Sequence, residues 1–344
     1  MRVCLTGADG FVGSNLSREL IRRGHTVQGM VQPNRSTVTI DELPVKKVPA
    51  DLLDPDSVRR AVAGCDAIIH VAASTAIWPA RSELVRRINL EGTKNVLDAA
   101  RRERVKRMVH IGTANTFAPG SKENPGTEDG EYISHKYGLD YMDSKYAAHL
   151  EVRRAVERGD VPVVEVNPTF MWGPFDRAPG AGKMILRVYR REVPGFASGG
   201  RNCVSVKDVA VGIANALTMG RVGESYILGN VNLSYSEIFT TISRVVKVPI
   251  PNRVFPDWLV RATGMAGSTV ALFRRLEPVV TKQMAEISCD GHYYSPAKAI
   301  QELKLPQTPV EVAIEEALGW FLANGYVYDE SGKIPRHLPS PTLV

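Results

Sequence analysis

Two tyrosines in the stretch YISHKYGLDYMDSK, residues 132–145, are each followed four positions later by a lysine: Tyr132 by Lys136, and Tyr141 by Lys145. A tyrosine can give a proton to a carbonyl oxygen during hydride transfer, but its ordinary pKa of about 10 makes it a weak acid at neutral pH. An ammonium one helical turn away lies on the same face and is expected to lower that pKa by about one to three pH units. Such a pair therefore has a use only if a helix carries it.

The helix requirement separates the two pairs. Tyr141 opens YMDSKYAAHLEVRRAVERG, in which apolar residues recur at helical spacing up to Gly159. Tyr132 instead follows the turn-forming NPGTEDGE and precedes Gly138, which interrupts a helix. An exposed tyrosine and lysine would be the default interpretation of either motif alone, but the glycine turn described below favours chemistry. We predict that Tyr141 and Lys145 form the catalytic pair and that the first pair is a coincidence.

The elements around this helix follow a regular order in the first half of the chain. Short apolar runs alternate with amphipathic stretches of helical length, which predicts an α/β fold with a doubly wound parallel sheet. Six runs are expected to be strands, at residues 2–7, 25–31, 44–52, 66–73, 107–113 and 161–169. Gly24 and Gly159 are placed as helix C-terminal stops.

The composition of the chain changes after Pro174, where glycine and proline become frequent. We expect a dinucleotide-binding domain at 1–174 and a smaller α/β substrate-binding domain at 175–335, with a segment at about 202–230 returning to the main sheet. The Ser and Glu of SYSEIFTTISRVV indicate a helix start in the second domain. The proline-rich tail at 336–344 is expected to be loose.

Composition and charge exclude several classes of protein. At 344 residues, with 44% apolar and 23% charged residues, the chain is typical of a globular enzyme. The net charge of +6 is spread out, and we interpret the basic run RRERVKR at 101–107 as the solvated end of a helix, with no nucleic-acid partner. The four cysteines and seven histidines are scattered, so neither a disulfide framework nor a metal site is expected.

Targeting signals are not expected either. Met1 leads at once into VCLTG, which leaves no room for a signal peptide, and the most apolar stretch, 258–273, is too short to span a bilayer and contains Arg261. We expect a cytoplasmic protein with a small-molecule substrate and no integral membrane segment; a homodimer is compatible with the sequence.

The first apolar run continues into TGADGFVGSNL, which places Gly7, Gly10 and Gly13 three residues apart between a strand and a helix. A turn that packs against a pyrophosphate needs backbone without Cβ atoms, and the following helix offers free N–H groups to the anion. Glycine triplets also serve ordinary turns, but this strand–turn–helix context is the one that the motif requires. The turn predicts a Rossmann-type sheet that binds a dinucleotide.

The turn and later motifs together resemble the extended short-chain dehydrogenase/reductase superfamily, the NAD-dependent epimerase/dehydratase family. TGADGFVG matches the family's TGxxGFxG at every fixed position. Further matches are ADLLD, HVAAS, NLEGTKNVLDAA, VNPTFMWGP, VSVKDVA and AKAIQELKLPQTPVEVAIEEALGWFLANGY, so the likeness covers most of the chain. The resemblance implies dinucleotide contacts from Gly7, Asp9, Gly10, Phe11, Val12, Asp51, Leu52, Val71, Ala72, Ala73, Tyr141, Lys145, Pro168 and Thr169, with Asn167 also along the nicotinamide.

The resemblance also implies a third catalytic group. HIGTANTF stands where the family has S-S-x-x-x-Y-G or S-T-x-x-x-Y-G, so Thr113 matches its catalytic serine or threonine, and Thr116 is the fallback. Here Gly112 replaces the preceding serine, and Phe117-Ala118 replace Tyr-Gly. We expect these departures to affect contacts with the substrate more than the acid–base residues.

The choice of cofactor depends on the end of the second strand. NAD enzymes usually carry an acid there for the ribose 2′-hydroxyl, but this chain has Gln32 in MVQPNRST and no acid before Asp41. Arg35 could meet a 2′-phosphate, although an exposed loop arginine is the alternative. We predict NADP(H), with NAD(H) as the second choice.

The likeness is closest to the dihydroflavonol-reductase-like group, which includes hydroxysteroid-dehydrogenase-like members. The first hypothesis is reduction of a ketone to a secondary alcohol. The second is a nucleotide-sugar epimerase or dehydratase with tightly bound NAD, and the third is an inactive nucleotide-sensing regulator, against which the trio Thr113, Tyr141 and Lys145 argues.

Two other segments bear on the substrate. The apolar segment 254–278 could line a pocket for a hydrophobic ketone, but we favour core packing over a pocket, a dimer surface or a membrane-facing patch. Arg187, Arg190 and Arg191 could bind a diphosphate and are expected to be exposed instead.

Overall fold

A parallel sheet of seven strands organises the part of the molecule that the computed structural model describes, residues 1–274 and 278–327. Its strand order is β3-β2-β1-β4-β5-β6-β9, the doubly wound pattern of a Rossmann fold. The strands are β1 (Arg2–Thr6), β2 (Thr26–Val31), β3 (Lys46–Pro49), β4 (Ala67–His70), β5 (Arg107–Ile111), β6 (Val163–Pro168), β7 (Phe170–Trp172), β8 (Gly200–Ser205), β9 (Ser225–Leu228), β10 (Val231–Ser234) and β11 (Gly291–His292).

Helices cover both faces of this sheet. They are α1 (Phe11–Arg22), α2 (Pro55–Val62), α3 (Glu83–Arg86), α4 (Gly92–Arg102), α5 (Asp140–Glu157), α6 (Gly182–Tyr189), α7 (Val206–Ala216), α8 (Tyr235–Val246), α9 (Asp257–Arg274), α10 (Lys282–Cys289), α11 (Ala297–Leu303) and α12 (Val310–Ala323). Buried side chains of α1, α7 and α11 form the core on one face, and those of α2, α4 and α5 form the core on the other. The apolar runs that predicted strands are buried on both sides, as a parallel sheet requires.

All six predicted strands are present in the main sheet, each within a few residues of its expected bounds. A seventh strand, β9, comes from the C-terminal half of the chain and pairs in parallel with β6. It lies inside the segment at about 202–230 for which a return to the main sheet was expected. Gly24 and Gly159 follow α1 and α5 with φ of +78° and +70°, the left-handed conformation expected of a helix stop.

A second, smaller sheet begins where β6 ends, because the chain passes through Thr169 directly into β7. In this sheet β8 pairs with β7, β10 and β11. Helices α6, α8 and α12 pack on it around Trp172 and Phe321. Helix α8 begins with the expected serine–glutamate cap, since the Ser234 hydroxyl accepts from the Glu237 N–H and the Glu237 carboxylate accepts from the Ser234 N–H.

Three further expectations concern the surface of the fold. The basic run at 101–107 includes the end of α4, where Arg101 and Arg102 pair with Asp98. Over residues 1–274 and 278–327, none of the helices has the length and apolar character needed to cross a membrane. The tail at 336–344 lies outside the described residues.

Candidate active site

The glycine turn has the shape that a pyrophosphate site needs. Gly7 has φ of +66°, and a Cβ on Gly13 would lie 2.0 Å from the Gly7 carbonyl oxygen, so the turn and the start of α1 pack backbone against backbone. Gly10 caps α1 without a side-chain hydrogen bond. Free N–H groups at the start of α1 and room beside the glycines are features that suit a phosphate group, so the turn fits the dinucleotide that the sequence predicts.

The segment after β4 lies beside this turn. The Thr6 hydroxyl accepts hydrogen bonds from the N–H groups of Val71 (3.1 Å) and Ala72 (3.0 Å). A Cβ on Gly7 would lie only 3.0 Å from the Ala72 Cα, so glycine at position 7 permits this close approach. The structure thus brings Val71 and Ala72 next to the glycine turn.

The residues predicted near the adenosine lie at the ends of β2 and β3. Gln32 and Arg35 are exposed, and the Arg35 Nε donates to the Gln32 Oε1 at 3.3 Å. Asp51 is exposed and accepts from the Leu53 N–H at 2.9 Å, whereas Leu52 is buried against Gly92. Within residues 1–274 and 278–327, Arg35 forms no ion pair with a carboxylate, so its guanidinium is available to an anionic group.

Helix α5 carries the predicted catalytic pair and is fixed to the segment after β4 through Asn89. The Asn89 side chain accepts from the Ser74 N–H (2.7 Å) and donates to the Ser144 hydroxyl (3.0 Å). These bonds hold the inner face of α5 against the ends of the strands.

Lys145 points inward from α5. It is only 5% exposed, and its Nζ donates to the Ile111 carbonyl oxygen at 2.5 Å, at the end of β5. Burial lowers the pKa of Lys145 to about 8, and the nearby Glu165 opposes that lowering. The ammonium thus lies under the ends of the central strands and away from bulk water.

Tyr141 lies one turn earlier on α5. Burial raises the pKa of its phenol, and a hydrogen bond from the Thr113 hydroxyl partly opposes the rise. The expectation that Lys145 lowers this pKa is wrong for the structure as it stands, because burial dominates and the ammonium bonds to the Ile111 carbonyl instead. Tyr141 therefore keeps its proton at neutral pH and could act as an acid.

The other tyrosine–lysine pair does not form a unit. The Tyr132 hydroxyl donates to Asp143 at 2.7 Å, while the Lys136 Nζ donates to Asp290 at 2.8 Å. Burial and the bond to Asp143 raise the pKa of Tyr132 well above its ordinary value. The two side chains thus have separate partners, which agrees with the interpretation of this pair as a coincidence.

Thr113 and Gly112 follow β5 and border the tyrosine. Thr113 is buried, and its hydroxyl is hydrogen-bonded to Tyr141. Thr116, the fallback, is also buried, but its hydroxyl has no hydrogen-bond partner among the described residues. A Cβ on Gly112 would lie 2.0 Å from the Asn167 Oδ1. Glycine is thus needed at position 112 because the buried side-chain amide of Asn167, in β6, packs against it. The motif alone did not show why the family's serine is replaced here.

Apolar side chains pack against Tyr141, which is itself partly buried. They form a cluster in which a 3-10 turn before α5, the loop after β4 and helix α10 meet. The cluster consists of Ile77, Ala80, Tyr137, Leu139, Met142 and Ile287. The tyrosine therefore stands at an apolar junction between the main sheet and the C-terminal part of the chain.

Two expectations concern the exposure of side chains in the C-terminal part of the chain. Residues 257–274 of the apolar segment form α9, but Trp258 and Phe273 are 70% and 85% exposed, so core packing is wrong for these side chains. Arg190 and Arg191 are exposed as expected, and Arg190 donates to the Tyr326 carbonyl oxygen at 2.7 Å.

Sequence reasoning missed a set of buried polar side chains under Lys145. Glu165 in β6 and His149 in α5 are in direct contact, at 2.5 Å between Oε2 and Nδ1. A glutamate within the apolar run VPVVEVNPT was the available signal, because ionised groups rarely lie in a strand that is buried on both faces. Among residues 1–274 and 278–327, no group of three or more His, Cys, Asp or Glu could hold a metal ion.

A family model for the NAD dependent epimerase/dehydratase family matches residues 3–229. The chain belongs to this family. The match covers all seven strands of the main sheet, the glycine turn and α5. Membership confirms the resemblance stated from the motifs.

Among similar proteins of known sequence, one from Synechocystis sp. bears the provisional name dihydroflavonol 4-reductase. It is 34% identical over 330 residues, 94% of this chain and 95% of that protein. Sterol demethylase protein B of Methylococcus capsulatus is 26% identical over 331 residues, 95% of this chain and 100% of that protein.

Two solved structures are similar over 95% of this chain and 99% of their own. The structure of gox2253 has a TM-score of 0.84 at 32% identity. PA4631, a nucleoside-diphosphate-sugar epimerase from Pseudomonas aeruginosa, has a TM-score of 0.78 at 26% identity. The family and these relatives include NAD(P)-dependent oxidoreductases and epimerases, which supports an enzyme of the extended short-chain type.

Proposed function

We propose that this enzyme uses NADP(H) to reduce an apolar ketone to a secondary alcohol. When bound, the dinucleotide supplies the hydride. Tyr141 gives its proton to the carbonyl oxygen, Thr113 shares a hydrogen bond with the tyrosine and orients the carbonyl, and Lys145 holds the ribose. Reduction requires a protonated phenol at the start of each turnover, and burial of Tyr141 provides it.

One observation supports the ketone in particular: the apolar cluster at Tyr141. Its side chains, such as Met142 and Ile287, offer few hydrogen-bond donors, so they suit an apolar substrate better than a sugar. The names of the similar Synechocystis and Methylococcus proteins refer to a dihydroflavonol and a sterol, neither of which is a nucleotide-activated sugar. We place this substrate between the dinucleotide, bound by residues 1–174, and the part of the chain after Pro174 that the structure describes.

The dinucleotide-binding residues remain those predicted from the sequence. The glycine turn would hold the pyrophosphate, the segment after β4 and the residues after β6 would contact the nicotinamide half, and Arg35 would meet a 2′-phosphate. The proposed set is Gly7, Asp9, Gly10, Phe11, Val12, Gln32, Arg35, Asp51, Leu52, Val71, Ala72, Ala73, Tyr141, Lys145, Pro168 and Thr169.

Dinucleotide binding is tested by thermal unfolding. A ligand that binds only the native state raises the melting temperature, so we expect NADPH to protect the protein more than NADH does. Replacing Arg35 by glutamate should weaken NADPH binding about tenfold, or ~1.4 kcal/mol, and leave NADH binding nearly unchanged. Arg60→Glu, an exposed substitution on α2, is the matched control.

The outcomes separate the two parts of this claim. A melting temperature that neither dinucleotide changes would contradict cofactor binding altogether. Equal protection by NADH and NADPH, unaffected by Arg35→Glu, would leave dinucleotide binding in place and overturn the assignment of the 2′-phosphate contact.

A second candidate function, epimerisation or dehydration of a nucleotide-activated sugar with tightly bound NAD, is favoured by Arg201. Its Nε donates to the Tyr235 hydroxyl at 3.1 Å, and its guanidinium carbon lies 5.7 Å from the centre of the Phe170 ring. A half-buried guanidinium held in this way could bind a diphosphate. Such an enzyme would retain its cofactor and show no net oxidation. An inactive regulator, the third hypothesis, would have no need of the buried Lys145.

A further inference from the structure

A row of polar side chains crosses the main sheet beneath Lys145. Parallel pairing sets Thr6 opposite His70, His70 opposite His110, His110 opposite Glu165, and Glu165 opposite Ser225. The row thus spans β1, β4, β5, β6 and β9 on the face covered by α4 and α5. Four of its members are almost fully buried, and only Ser225 is partly exposed.

Glu165 is the one acid in this row. Its Oε2 lies 2.5 Å from the His149 Nδ1 and accepts from the Ser225 hydroxyl at 2.8 Å. Its Oε1 has no hydrogen-bond partner and lies 3.9 Å from the His110 Nε2. A buried carboxylate with one unsatisfied oxygen is costly unless a positive charge lies close to it.

Lys145 is a buried cation on the same side of the sheet. It precedes His149 by one turn on α5, so both side chains reach the same face of the sheet. The lysine Nζ bonds to the Ile111 carbonyl, and the next residue is Gly112, where a Cβ would lie 3.1 Å from the Glu165 Oε1. The unsatisfied oxygen therefore lies against the residue that follows the lysine's hydrogen-bond acceptor.

The other groups that face the lysine are neutral at neutral pH. Burial and the nearby lysine lower the pKa of His70 to about 3, and burial, followed by Lys145 and the neighbouring histidines, lowers that of His110 well below its ordinary value. Burial raises the pKa of Tyr141, which therefore stays uncharged. Glu165 is the carboxylate that the strands β4, β5, β6 and β9 present to Lys145, and the His149 ring contacts that carboxylate directly.

We propose that Glu165 is the counter-charge that keeps the buried Lys145 protonated, and that His149 and Ser225 hold its carboxylate in place. Glu165 acts through Lys145 and is a positioning residue. Its importance for turnover rests on the proposed function, because there Lys145 must carry an ammonium beside the ribose and Tyr141. The charge relation itself needs neither dinucleotide nor substrate.

The test is a measurement of the protonation of Lys145 by NMR, in full-length protein labelled with 13C at the lysine Cε. The titration of Lys145 is identified by its absence in Lys145→Met. We expect a midpoint near pH 8 in the parent protein. In Glu165→Gln, a nearly isosteric change, the midpoint should move to lower pH by about one pH unit or more, because the negative charge that favours the ammonium is gone.

A second variant separates charge from mere structure. In Ser225→Ala the carboxylate loses the 2.8 Å hydrogen bond from the serine hydroxyl but keeps its negative charge, so the Lys145 midpoint should move much less than in Glu165→Gln. A disturbance of packing alone would move the midpoint in both variants. If Glu165→Gln does not fold, 13C NMR of the Glu165 carboxyl in the parent protein decides: a carboxyl that is ionised across the Lys145 titration supports the proposal, and a neutral one overturns it.

An unchanged midpoint in Glu165→Gln, or an equally large acid shift in Ser225→Ala, would overturn the proposal. Failure of the proposed function would be seen elsewhere, as loss of dinucleotide protection or of ketone reduction with normal Lys145 titration. If both hold, the alkaline limb of the turnover rate should move to lower pH in Glu165→Gln.

Discussion

Replacing Tyr141 by phenylalanine is expected to slow ketone reduction by at least about a hundredfold and up to about ten-thousandfold, the usual contribution of a general acid. The substitution removes the hydroxyl that Thr113 contacts and keeps the ring within its apolar cluster. Dinucleotide affinity should therefore change little. The measurements are the rate of NADPH consumption with a panel of apolar ketones and a fluorescence titration with NADPH.

Tyr132→Phe is the matched control for this prediction. It removes a phenol from the same stretch, together with a hydrogen bond of 2.7 Å to Asp143, so it should cost about 1 kcal/mol of stability. The rate of reduction should stay within about twofold of the parent rate, since Tyr132 has no contact with Thr113 or Lys145 among its hydrogen bonds. A large loss of rate in Tyr132→Phe, with near-normal rate in Tyr141→Phe, would reverse the assignment of the two pairs.

The glycine turn gives the largest expected effect on stability. In Gly13→Ala the new methyl group would lie 2.0 Å from the Gly7 carbonyl oxygen and 2.9 Å from the Ala8 Cα. Both atoms belong to the backbone, so the turn and α1 must separate, and we expect a loss of about 3 kcal/mol in the free energy of unfolding. Displacement of the turn should also abolish dinucleotide binding. Urea denaturation with and without NADPH measures both effects.

Gly319→Ala serves as the matched control, because it makes the same chemical change without the contact. Gly319 lies exposed in α12, and nothing stands within 4 Å of the position of its Cβ. Alanine favours a helix over glycine, so this variant should gain about 0.5–1 kcal/mol and bind NADPH normally. Equal stability of the two variants would show that the backbone contact at Gly13 is absent.

The features of the site that depend on short stretches of sequence could be predicted. The glycine spacing required a turn between β1 and α1, and the helical periodicity after Tyr141 placed Lys145 on the same face of α5. Both are short-range features, which depend on backbone conformation within a few residues. The six strands could be predicted for the same reason.

Other features depend on contacts between distant residues. The row beneath Lys145 exists because Glu165 and Ser225, 60 residues apart, are set opposite each other on neighbouring strands. The direction of the pKa change of Tyr141 follows from its burial, which depends on the tertiary fold, rather than from its helical neighbour Lys145. The exposure of Trp258 could not be foreseen either, because an apolar helix has the same sequence pattern in a core as at a surface.

A protonated Tyr141 suits the proposed reduction. A phenol with a raised pKa keeps its proton at neutral pH, whereas oxidation of an alcohol would require the phenolate as base. The burial that stabilises the neutral phenol also lowers the pKa of Lys145. A counter-charge at Glu165 therefore allows both groups to be protonated together in a buried site.

The most direct test is the stoichiometry of cofactor and product. Purified protein is incubated with NADPH and an apolar ketone, and the loss of NADPH is compared with the secondary alcohol formed. We expect one equivalent of alcohol for each NADPH oxidised in the parent protein and, in the same time, at most about a hundredth of either change in Tyr141→Phe. The account would be contradicted if the protein converted a nucleotide-activated sugar while its cofactor stayed bound and unchanged in amount. That result would identify an epimerase or dehydratase.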